Sequence, residues 1–213
     1  MTASITAQDA FRAAYENRYT WDHEFPGYRA QLTLTQGEER YEGEVTVQAD
    51  YTVSVTGIED ETVQESIYNQ LRDIVTHRKL GNFEASHGKN QFSFGESDSS
   101  GAREILVKGD AMGSNYKIRG TEICQVSRVM GPMGFTINTE ESLDTGRGYI
   151  AVKYNAIFRN PKTDMLMGKR DFHEEYAEIG GYYLPSQQTI EAIAPGGEKT
   201  VTTFVFSDIT LLG

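Results

Sequence analysis

One cysteine, four histidines and no long apolar run in 213 residues exclude several classes of protein at once. Cys124 alone cannot form an intrachain disulfide, and chains of this size from oxidising compartments more often carry cysteine pairs. Nowhere does the sequence approach the roughly 20 consecutive apolar residues of a membrane span. Its start, through Ala10 and Phe11 to Arg18, is interrupted by polar or charged residues every few positions and lacks the apolar core of a secretory signal. A soluble, cytoplasmic protein that is not integral to a membrane is therefore expected.

Basic residues are also in short supply, 20 against 31 acidic, for a formal net charge of −11. Such an average field repels phosphate backbones and anionic lipid surfaces, so nucleic acid is not an expected partner. A chain of this length buries roughly 70% of its unfolded surface and needs no metal or disulfide staple. A single domain over residues 1–213 is expected.

Helical periodicity is present in two places. Thr6 and Asp9 make a capping-box-like start, Ile5 can staple to Ala10, and Ala10, Phe11, Ala14 and Tyr15 share a face. The second, longer segment runs from about Asp60 to Lys79, with Val63, Ile67, Tyr68, Leu71, Ile74 and Val75 in one stripe. Acids at its start and His77, Arg78 and Lys79 at its end suit the helix dipole, and Gly81 is expected as a left-handed stop. A rod of about 30 Å with one apolar stripe has to lie against something equally long, such as a wide sheet.

The remainder alternates with period two between turn signals. Strands are expected around Tyr28–Leu34, Tyr41–Val47 with a bend at Gly43, Tyr51–Val55, Asn82–Ser86, Asn90–Gly95, Arg103–Lys108 and Asn115–Gly120. Ile150, Val152, Tyr154, Ala156 and Phe158 share one face before a turn at Asn160–Asp164, and the chain returns from Met165 to Ile179. Tyr182–Ala194 and Lys199–Leu212 form a last pair about Pro195–Glu198. The fold class is mainly β (α+β): a curled antiparallel sheet or half-barrel of about ten strands, with a long amphipathic helix and a short N-terminal helix. Residues 96–101 read as a hairpin loop rather than a linker.

Few constellations carry chemistry. His173 and Glu175 share a strand face while Glu174 points the other way with Phe172 and Tyr176, and His23, His77 and His87 stand at no recognised ligand spacing, so no metal is expected. If the Glu174 face is inward, the acid needs a partner such as Arg170; if outward, the acid is solvated and the aromatics are the exception. Gly131–Gly134 and Gly146–Gly148 lack the lysine and hydroxyl of a phosphate loop and read as turns. Cys124 reads as a small buried hydrophobe. No serine stands in a nucleophile-elbow context. Twelve Tyr, ten Phe and one Trp either reflect strand propensity or line a cavity.

Two likenesses follow from quoted stretches. Ala14–Trp21 with Phe25–Tyr28 resembles an uncharacterised family of cyanobacterial and plastid proteins of about this size. The element order, the glycine-spaced hairpin from Gly37 through Gly43 to Val47, and Gly181–Pro185 followed by Thr203–Ile209 resemble the half-barrel of the bacterial lipoprotein carriers and related lipoprotein-sorting domains. The second likeness implies a concave sheet that holds acyl chains under covering helices, although an export signal and a lipid-accepting cysteine are lacking. The expected function is non-catalytic binding of an apolar or amphipathic small molecule, without a cofactor, contacted by Trp21, Phe25, Tyr154, Phe158, Phe172, Tyr176, Ile67 and Leu71. Two alternatives stand beside it: an enzyme using Glu174 as a buried acid, and a ligand-free interaction or assembly factor.

Overall fold

The computed structural model describes residues 5–109 and 114–213. Among them are three helices, α1 (Ala7–Glu16), α2 (Glu61–Arg78) and α3 (Phe83–His87). The strands are β1 (Gly27–Gln36), β2 (Glu39–Gln48), β3 (Val53–Thr56), β4 (Gln91–Ser97), β5 (Arg103–Lys108) and β6 (Ser114–Arg119). They continue as β7 (Glu122–Met130), β8 (Met133–Asp144), β9 (Tyr149–Arg159), β10 (Leu166–Ile179), β11 (Tyr182–Ile193) and β12 (Lys199–Leu211). The strand order is β3-β2-β1-β12-β11-β10-β9-β8-β7-β6-β5-β4, so β4 to β12 form one long meander and β1 returns beside β12. Strands β3 and β4 are the two edges, and the sheet is antiparallel and unclosed.

The chain divides into two compact units. The first holds Met1–Tyr19, Gly81–Asp171 and Ala192–Lys199; the second holds Thr20–Leu80, Phe172–Glu191 and Thr200–Gly213.

In the first unit α1 begins where Thr6 accepts a hydrogen bond from the Asp9 amide and its hydroxyl reaches the Asp9 carboxylate at 2.6 Å, the capping box read from the sequence. Ala7, Phe11 and Ala14 are its buried stripe. They pack with Phe83 of α3 on Ile105, Val107, Tyr116 and Ile118 of β5 and β6. The segment expected as a strand at Asn82–Ser86 is instead α3. Asn82 caps it by accepting from the Ala85 amide, and a capped turn that buries Phe83 outweighs a short alternating pattern. The hairpin loop expected at residues 96–101 lies at 98–102, since β4 runs on to Ser97: Asp98 accepts from the amides of Ser100 and Ala102, and the Lys117 ammonium donates to it.

In the second unit Tyr28, Ala30, Leu32 and Leu34 of β1 are all buried, matching the expected alternation. Their cross-strand partners include Val47 and Val45 of β2 and Phe206 and Phe204 of β12. Helix α2 starts where Asp60 accepts from the amides of Thr62 and Val63, and buries Ile67, Leu71, Ile74 and Val75. Tyr68, expected in that stripe, is 38% exposed. The helix ends as Lys79 turns extended, φ −59° and ψ 132°, and not by a left-handed Gly81. Gly81 answers a different demand, since a Cβ there would lie 2.5 Å from the Tyr15 hydroxyl.

The strand count is twelve rather than about ten, because β7 and β8 were not anticipated. Both run half-buried along most of their length, so neither carries the clean in-and-out alternation that marks a strand in sequence. Tyr51 lies outside β3, at φ 69° in the turn before it. Gly131 and Gly146 sit at positive φ in turns, as expected.

Two outcomes follow from these contacts. A Cβ on Gly43 would come within 2.5 Å of the Thr56 carbonyl and 3.0 Å of the Ile58 side chain, so Gly43→Ala is expected to cost about 1–3 kcal/mol in a urea unfolding experiment. His87 packs edge-on against Phe11 and Tyr15 at 5.2 and 5.0 Å, and burial, with Arg18 and Arg128 adding to it, holds its pKa below the ordinary 6.5. The unfolded chain then takes the proton first, so this contribution is complete above about 6.5 and is lost as pH falls below it. Equilibrium unfolding across that range should show the loss in the wild type and not in His87→Phe.

Candidate functional site

The deepest polar cluster lies in the second unit. Arg78, at the last turn of α2, is 7% exposed and follows Leu71, Ile74 and Val75 at helical spacing, so it occupies the apolar stripe itself. Its Nη2 donates to the Tyr176 hydroxyl at 3.0 Å, and that hydroxyl donates to Oε2 of Glu174 at 2.5 Å. The other carboxylate oxygen accepts from Nε2 of Gln188 at 2.7 Å. Glu174 is 8% exposed and Gln188 1%. Tyr28 lies close by, and its hydroxyl and the Gln188 Oε1 are buried without a hydrogen-bond partner among the described residues. Burial pushes the pKa of the Tyr28 and Tyr176 hydroxyls far up, so both keep their protons through the physiological range.

The inward orientation of Glu174 is thus the one adopted, but its partners differ from expectation. Arg170 is exposed and lies over the Phe158 ring at 5.7 Å. Partnering with Glu174 falls instead to Tyr176, its neighbour on the same strand face, and to Gln188 of β11, which a reading along one strand could not reach. His173 and Glu175 are exposed on the opposite face. Among the described residues no three metal-ligating side chains converge. Cys124 is half-buried, its thiol donates to the Lys117 carbonyl, and burial raises its pKa, which suits an inert thiol.

Four of the residues expected to touch a ligand fill the interior of the second unit. Trp21, Phe25, Ile67 and Leu71 are each at most 2% exposed. Trp21 stacks on Phe25 at 4.2 Å and on Tyr51 at 6.3 Å, donates its indole N–H to the Tyr183 carbonyl, and is held at its backbone by Arg78 O. Phe172 and Tyr176, on the strand face of Glu174, are partly buried in the same unit.

Tyr154 and Phe158 belong to the first unit, on a sheet face whose two sides differ in chemistry. Direct pairs place Val126 with Ile137 and Ile137 with Ala156 on one side, and Arg128 with Phe135 and Phe135 with Phe158 beside them. This is the side that carries Tyr116, which pairs Val126 and packs under α1. The reverse side is a polar ladder: Gln125 donates to Asn138, Asn138 to Asn155 and Asn155 to Glu140, while Ser127 meets Thr136 at 3.1 Å.

Length decides how much of the apolar side is covered. Ten residues make α1 about 15 Å long, and strands lie about 4.8 Å apart, so it crosses three gaps. It contacts β4 and β7, the two ends of that reach. Beyond it, Phe135, Ile137, Tyr154 and Phe158 on β8 and β9 remain only half-buried. Under the other edge of α1 lies a pocket of about 250 Å³ lined by Ala10, Ala13, Phe94, Arg103, Ile118 and neighbouring residues.

The buried polar chain supports a stability measurement. Glu174→Ala removes the carboxylate that ends the Arg78–Tyr176 chain inside a packed core, and is expected to cost about 3–5 kcal/mol in denaturant unfolding. The shape-preserving Glu174→Gln should cost clearly less.

A family model described as a protein of unknown function (DUF3386) matches residues 2–212. No curated protein matches the chain. Among solved structures it is similar to a LolA superfamily protein from Nitrosomonas europaea, at 12% identity over 99% of this chain and 95% of that one, with a TM-score of 0.35. It is also similar to a DUF1329 family protein from Desulfovibrio piger, at 8% identity over 98% and 94% of the two chains, with a TM-score of 0.29.

Proposed function

The chain belongs to the DUF3386 family, whose function is unknown, and from its own geometry we propose that it binds a hydrophobic or amphipathic small molecule, of the lipid or pigment class, without catalysis. The observation that carries this reading is the apolar side of β8 and β9 in the first unit, where Phe135, Ile137, Tyr154 and Phe158 lie half-buried past the reach of α1. Covering about 200 Å² of such surface would contribute roughly 5 kcal/mol at about 25 cal/mol per Å², before the cost of association.

Of the remaining expected contacts, Trp21, Phe25, Ile67 and Leu71 are packed against their own neighbours and would meet a ligand only if α2 lifted. Catalysis by Glu174 is not favoured, because both of its carboxylate oxygens already accept hydrogen bonds from Tyr176 and Gln188.

The test is displacement of an anilinonaphthalene sulfonate or fluorescent fatty-acid probe from the soluble protein. Phe158→Asp and Phe135→Asp are each expected to weaken probe binding on the order of tenfold, the loss of about 1.4 kcal/mol of apolar contact, with little change in thermal midpoint. Wild-type protein that leaves both probes in solution would end the reading.

A further inference from the structure

Ten large apolar side chains stand exposed among the described residues, and five of them lie at the ends of two neighbouring hairpins of the first unit. Val129 and Met130 flank the Gly131–Pro132 turn of β7 and β8, at 51% and 56% exposure. Met165, Leu166 and Met167 follow the turn between β9 and β10, at 63%, 40% and 43%. The two ends are adjacent: Gly134 at the start of β8 pairs with Arg159 at the end of β9, and a Cβ on Gly134 would lie 3.9 Å from Pro161. Three of the six methionines in the chain, Met130, Met165 and Met167, fall in these two segments.

Charge at this end runs against the rest of the molecule. Residues 128–134 and 159–171 hold five basic residues, Arg128, Arg159, Lys162, Lys169 and Arg170, against two acids, Asp164 and Asp171, in a chain of net charge −11. Asp164 is engaged by Arg159 and Asp171 by Lys169 at 2.8 Å, and Lys162 is exposed. An apolar cluster ringed by long-stemmed cations suits a surface that is greasy inside and anionic at its boundary, because lysine and arginine stems can lie along the apolar region while their heads meet phosphate. A second copy of the chain fits less well. A symmetric contact through this patch would bring two basic rims face to face.

We propose that the paired hairpin ends, Val129–Met130 and Met165–Met167, dock the protein peripherally on an anionic membrane surface, with Lys162 meeting the lipid headgroups. The average charge of the chain opposes such a contact, so docking depends on this patch. The patch does not include the half-buried row of β8 and β9, and docking is independent of whether that row holds a ligand.

The experiment is co-sedimentation of the full chain with vesicles of phosphatidylcholine alone and of phosphatidylcholine mixed with phosphatidylserine. Wild-type protein is expected to partition on the order of tenfold more strongly onto the mixed vesicles, and to lose that preference as salt is raised. Met130→Ser with Met165→Ser, and separately Lys162→Glu, should each reduce partitioning about tenfold while probe binding in solution and thermal midpoint stay as in the wild type. Equal partitioning on both lipids, no sedimentation with the mixed vesicles, or variants that bind like the wild type would overturn the proposal. So would a dimer in analytical ultracentrifugation that the methionine variant dissolves, which would assign the patch to a second copy. Protein that binds the soluble probe but no vesicle defeats docking alone.

Discussion

An apolar side of a sheet has to be covered, and the reach of a helix is fixed at about 1.5 Å per residue. In the first unit that constraint decides how much of the apolar side is covered. Ten residues of α1, with five of α3 beside it, close over β4 to β7 and bury Ile105, Val107, Tyr116 and Ile118. The meander goes on past the end of this cover while its side chains keep the same polarity. Phe135, Ile137 and Phe158 continue the apolar side, and the asparagine and glutamine ladder continues the polar one.

The second unit meets the same constraint by another route. Eighteen residues of α2 present a full stripe to the strands, and the interior is completed by the Trp21, Phe25 and Tyr51 stack. What is unusual there is the polar chain through the core. Arg78, Tyr176, Glu174 and Gln188 tie the last turn of α2 to β10 and β11 by hydrogen bonds that hold only at one register. A buried chain of this kind adds little net stability over apolar packing, yet it penalises slippage, because any displaced member leaves a desolvated group behind.

Much of this was legible in the sequence, and the failures have physical causes. Thr6, Asp9 and Asp60 announced their helices, and β1, β5, β9 and the final hairpin were placed by alternation and turn residues. Periodicity reports burial contrast, so β7 and β8, with both sides half-buried, gave no signal. Phe83 and Asn82 favoured a capped turn that alternation alone could not distinguish from a strand. The sequence leaves both orientations of Glu174 open, and of its two partners Tyr176 lies on the same strand face while Gln188 comes from β11. Arg78 was read as a dipole-complementing cation, although its spacing from Leu71, Ile74 and Val75 placed it on the buried stripe and could have flagged it. The family likeness to an uncharacterised group is matched by the family model, whereas contacts with any ligand remain a matter of proposal.

The two rims of the unclosed sheet differ from its middle in one further respect. At one rim β3 is four residues long, and at the other the pairing of β4 slips between Phe94 and Ser97. Neither offers a long, flat row of free amides and carbonyls to a passing strand. A ribbon of twelve strands would otherwise be a template for stacking chain upon chain, and its broken margins remove that template.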